Sequence, residues 1–96
     1  MAPFIINAHL GENENELLLF VPTTTLTFYP GKEQGLAHDL MEKEYEVADY
    51  KPCSCFFGKE ADGDGGYAFT IIEQGYGYGK DLLKDVYQII ENKTTL

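Results

Sequence analysis

Arginine and tryptophan are absent from this 96-residue chain, serine occurs once, at Ser54, and histidine twice, at His9 and His38. Each shortage excludes something. Recognition of phosphate through paired hydrogen bonds relies on the guanidinium fork, so a chain without arginine lacks the usual means of gripping a nucleic-acid backbone. With one serine and no GxSxG, HExxH or Cys/His neighbourhood, neither a nucleophilic nor a zinc-dependent hydrolase has sequence support. The reading is of a protein that is not an enzyme and carries no cofactor.

Cysteine is equally scarce. Cys53 and Cys55 give no disulfide framework of the kind that holds small secreted domains together. A zinc site would need two further ligands, and both histidines lie far away in sequence, so the pair reads as two small buried hydrophobes. No basic leader with an apolar run opens the sequence and no 18-residue apolar stretch occurs, so neither a signal peptide nor a membrane span is expected and the location is read as cytoplasmic.

What the chain has in excess is negative charge: 16 Asp plus Glu against 7 Lys, a net charge of −9 and a pI near 4.4. Such a field repels nucleic acid and anionic membranes and favours basic protein surfaces. Hydrophobic residues at 44% and charged residues at 24% are ordinary for a folded domain, so the acidity does not mark disorder. The length suits one domain over residues 1–96.

Residues 3 to 9 read as a short strand leading into the turn-forming LGENENE segment. Residues 16 to 29, rich in β-branched and aromatic side chains and interrupted by Pro22, predict two strands or one bent edge strand. Leu36, Leu40 and Met41 recur at helical spacing over 33 to 43, with Gly35 as a weak point. Alternation in 44 to 49 predicts a strand and 52 to 57 another, while the turn-rich 59 to 66 followed by YAFTIIEQ makes 52 to 74 a hairpin. Leu82, Leu83, Val86, Tyr87, Ile89 and Ile90 form the apolar stripe of a terminal helix. The expected class is α+β: an antiparallel sheet of four to five strands, a short middle helix, and a C-terminal amphipathic helix packed on one face.

Two acidic runs are the leading functional candidates: Glu12, Glu14 and Glu16 in ENENE, and Glu42, Glu44 and Glu46 in EKEYE. If extended, each run would direct its carboxylates to one side at about 6.6–6.8 Å intervals, resembling a row of phosphates. The plainer reading is a solvated sheet face that keeps the protein soluble. Tyrosines accompany these runs, Tyr45 and Tyr50 beside the second and Tyr76 and Tyr78 within GYGYG; tyrosine suits binding surfaces and equally suits cores.

Two further stretches carry weaker signals. Glu60, Asp62, Asp64 and Gly65 follow the first half of a calcium loop, but the registers from Glu60 and Asp62 place Ile71 or Tyr67 where a Glu or a Gly is required, so a hairpin turn is expected and no metal site. The GYGYG run before Lys80 lacks the GxGxxG and GxxxxGK[ST] phosphate patterns, which leaves a nucleotide-like ligand near Gly75 and Lys80 as the alternative function. The leading expectation is a small acidic inhibitor that occupies the basic, nucleic-acid-binding surface of a partner, as a viral antagonist of a defence nuclease such as an anti-CRISPR does, or an immunity protein against a nuclease toxin. Glu12, Glu14, Glu16, Glu42, Glu44, Glu46 and Asp49 would supply charge, with Tyr45, Tyr50, Tyr76 and Tyr78 as anchors.

Overall fold

A computed structural model describes residues 6–13, 15–53, 65–74 and 79–94. Within them the chain forms β1 (Asn7–Leu10), β2 (Glu16–Pro22), a short α1 (Thr23–Leu26), α2 (Glu33–Glu42), β3 (Tyr45–Cys53), β4 (Gly66–Glu73) and α3 (Gly79–Thr94). The four strands make one antiparallel sheet in the order β1-β2-β4-β3. The α+β class read from the sequence is present, with four strands, and β3 pairs antiparallel with β4; residues 54–64 of the expected 52 to 74 hairpin lie outside the described residues.

Residues opposite one another across a ladder share a face, so the register sorts the sheet. Leu17, Leu19 and Val21 face Ile71, Phe69 and Tyr67 on one side, joined by Ala8 of β1 and Val47 of β3. This side is apolar. Its buried members form a single core cluster with Leu36 and Leu40 of α2 and with Leu82, Val86, Ile89 and Ile90 of α3. Full burial of each such side chain contributes about 1.5–3 kcal/mol, so this cluster dominates the fold's stability.

The opposite side carries Glu16, Leu18 and Phe20 of β2 against Ile72, Thr70 and Ala68 of β4. Gly66 has a packing reason there: a Cβ on it would lie 2.5 Å from Phe20 Cζ and 2.7 Å from the Val21 carbonyl oxygen. The absent side chain lets the Phe20 ring cross the next strand.

Three local expectations are corrected. Residues 23 to 29 are not a strand: after Pro22, which closes the β2 ladder opposite Gly66, Thr23–Leu26 turns as a helix. Thr23 donates both its backbone N–H and its hydroxyl to the Gly65 carbonyl at 3.0 Å, and Thr25 and Leu26 are buried, so tertiary contacts override the β preference of the threonine run. β2 is also central and not an edge, with Pro22 tolerated because it is the last residue of the ladder. The strand expected over 44 to 49 and the start of the one expected over 52 to 57 are a single strand, Tyr45–Cys53, broken in register between Val47 and Asp49, with residues 54–57 outside the described residues.

Among the described residues no helix is long and apolar enough to cross a membrane. Glu14, Cys55, Tyr76, Tyr78 and the calcium-like stretch before Gly65 lie outside the described residues.

Candidate functional site

Among the described residues neither acidic run is extended, so the expected phosphate-like ladders of carboxylates do not form there. ENENE spans the β1–β2 turn: Gly11 donates to the Glu16 carbonyl and Glu16 to the Asn13 carbonyl, both at 3.0 Å, and Glu16 Oε1 accepts from Asn13 N and Nδ2 at 3.2 Å. Glu16 therefore holds the turn as well as carrying charge. EKEYE crosses from helix to strand, with Glu42 ending α2, Glu44 in the left-handed region at φ 70°, and Glu46 on β3.

The topology nonetheless gathers the two runs. Both Glu16 and Glu46 pair with Ile72, from opposite sides of β4, so they flank it on the same sheet face about 9.5 Å apart, two strand spacings. Glu12 lies in the turn at that end of the sheet, and Glu42 and Glu44 immediately precede β3 there. Glu12, Glu42, Glu44 and Glu46 are exposed and Glu16 half-buried. At that spacing the charges reinforce one another strongly at low ionic strength, where the screening length is about 30 Å, and much less at physiological salt, where it is about 8 Å.

A groove of about 460 Å³ opens at the same end, lined by Met41, Glu44, Tyr45, Glu46 and Gln74. Met41 is 62% exposed and gives the groove an apolar rim beside two carboxylates. The only lysine between the acids of the second run is Lys43. Glu44 holds its strained conformation as the residue just past the Lys43 C-cap of α2, where its N–H donates to the Met41 carbonyl at 2.9 Å; glycine is the usual occupant of such a position.

No family profile, characterised protein or solved structure matches this chain. The site is therefore read from its own chemistry.

The tyrosines divide. Tyr45, expected as a surface anchor, is only 5% exposed, belongs to the core cluster, and donates its hydroxyl to Asp85 Oδ2. Burial above all, then the hydrogen bond to Asp85 and the charges of Asp85, Glu73 and Asp81, push its titration well above the ordinary range. Its ring floors the groove and does not project from it. Tyr50 is 42% exposed and stacks on Phe69 with ring centroids 5.7 Å apart, and Asp49 is exposed beside it. Sequence reasoning missed Met41 and Gln74 as lining of the groove and Asp85 as the partner of Tyr45: Met41 reads as part of the apolar stripe of α2, and Gln74 and Asp85 come from β4's end and α3, distant in sequence from the second acidic run.

Proposed function

We propose that the chain is an acidic inhibitor whose binding surface is the end of the sheet where Glu12, Glu16, Glu42, Glu44 and Glu46 converge. The observation that carries this reading is the shared pairing of Glu16 and Glu46 with Ile72, which turns two runs distant in sequence into one field. A partner's lysine or arginine enters the groove, laying its apolar stem on Met41 and presenting its charge to Glu44 and Glu46. The partner is a protein with a basic surface built for nucleic acid, because such a surface responds to charge density and not to base sequence.

The test is competition: the protein is titrated against basic nucleases bound to a fluorescent duplex, with duplex release as the readout. Release is expected, weakening as salt rises, and abolished by the paired reversal Glu44→Lys with Glu46→Lys. Glu44→Gly supplies a control against misfolding, since relief of the left-handed strain is expected to stabilise the fold by about 1 kcal/mol while inhibition weakens. If the double reversal competes as well as the parent chain, the surface is wrongly assigned.

A further inference from the structure

Helix α2 also carries a polar relay that links it to α3. His38 Nε2 lies 3.8 Å from Glu42 Oε1, His38 Nδ1 lies 3.7 Å from Asp39 Oδ1, and Asp39 Oδ2 lies 3.5 Å from Lys93 Nζ. Positions 38 and 42 are one helical turn apart and share a face. One donor atom from each of His38, Asp39 and Glu42 can be chosen so that all lie within 4.8 Å of one another.

An exposed His–Glu pair has a plain role as a weak intrahelical contact. Two features go further. First, the separation is close to that of two ligands on one ion: bonds of 2.0–2.2 Å in a tetrahedral arrangement put donor atoms roughly 3.3 Å apart. Both side chains are free to close the difference, His38 being 71% and Glu42 69% exposed. Second, the other imidazole nitrogen lies 3.7 Å from the Asp39 carboxylate, an ionic contact longer than a hydrogen bond that a small rotation of the exposed ring would tighten into the arrangement that fixes the tautomer and orientation of metal-binding histidines. That carboxylate is itself held: Asp39 is 20% exposed, and its second oxygen is shielded from solvent beside the Lys93 ammonium. Lys93 therefore neutralises Asp39 and leaves the Nε2–Glu42 edge to a cation, which the net charge of −9 also attracts.

We propose that His38 Nε2 and the Glu42 carboxylate form a surface site for a divalent ion of the zinc class, with Asp39, paired to Lys93, as a positioning residue whose carboxylate accepts the Nδ1–H once the ring has closed onto the ion. The donor set selects the ion. One imidazole with one carboxylate suits zinc, nickel or copper(II), whereas calcium and magnesium favour all-oxygen shells. The site shares Glu42 with the inhibitor surface, whereas His38, Asp39 and Lys93 lie outside it, and zinc binding is read without reference to inhibition.

Zinc chloride titrated into the full, reduced chain and followed residue by residue by NMR tests it, because binding at the thiols or at His9 would appear at different resonances. Saturable shifts centred on His38 and Glu42 are expected. His38→Gln and Glu42→Gln should each abolish them, and Asp39→Asn should weaken zinc binding about tenfold while changing the tautomer signature of the His38 ring in the zinc-loaded protein. Asp39→Glu should restore the tautomer. Unsaturable shifts spread over all the carboxylates, or saturation unchanged in His38→Gln, would overturn the proposal.

Discussion

Tyr29 and Tyr45 are both core residues, 3% and 5% exposed, and they differ in what their hydroxyls touch. The Tyr45 hydroxyl donates to Asp85, whereas that of Tyr29 is buried without a partner among the described residues. Removing a paired hydroxyl costs the bond, and removing an unpaired one relieves a desolvated group. Tyr45→Phe is therefore expected to lower stability by about 1 kcal/mol and Tyr29→Phe to leave it unchanged or raise it, as measured by the midpoint of urea unfolding. Both phenols titrate above their usual 10.0, chiefly through burial, with the Asp39 charge adding to it at Tyr29 and Asp85 at Tyr45. The folded state thus holds these protons more tightly than the unfolded chain; the stability tied to them is complete below pH 10 and is lost as pH rises through the folded-state values. The alkaline decline should be shallower in Tyr45→Phe. Sequence inspection sees such a tyrosine as a surface anchor because a buried phenol and an exposed one have the same neighbours along the chain; the partner, Asp85, is 40 residues away.

Helices and strands differed in how plainly they could be read. The stripe of Leu82, Val86 and Ile90 marks α3 because its period is unmistakable, and the alternation in 67 to 73 marks β4 for the same reason. α1 was hidden, since its threonines favour strands and only the docking of Thr25 and Leu26 makes them helical. The bulge after Val47 was hidden as well: a one-residue slip moves every following side chain to the other face, which turns Tyr50 onto the Phe69 side. Gly35 read as a flaw in α2, and the packing reverses that view. A Cβ there would lie 2.3 Å from the Pro30 carbonyl oxygen, so the glycine lets the preceding loop close onto the helix. Gly35→Ala, which helix propensity alone would favour by about 1 kcal/mol, is expected instead to destabilise by about 1–3 kcal/mol, seen as a lower thermal midpoint. For the candidate site, the residue types were legible in the sequence and their meeting place was not, because Glu16 and Glu46 meet only through the order of the strands.

At the scale of the whole molecule, a net charge of −9 with carboxylates crowded at one end of the sheet means that folding works against self-repulsion. Raising ionic strength from about 10 mM to 0.15 M shortens the screening length from about 30 to 8 Å, so the urea midpoint is expected to rise over that interval. A neutral midpoint shift would mean that the acids are farther apart in the folded chain than their strand pairings imply. The sheet order carries one more consequence. β4 is the inner neighbour of both β2 and β3, yet it is the last strand to leave the ribosome, some fifty residues after β2. Until residues 66–73 emerge, β2 has β1 on one flank and nothing on the other, so the nascent chain presents Leu17, Leu19 and Val21 along an open ladder to whatever meets it, and a chaperone that caps this segment would raise the soluble yield of the protein.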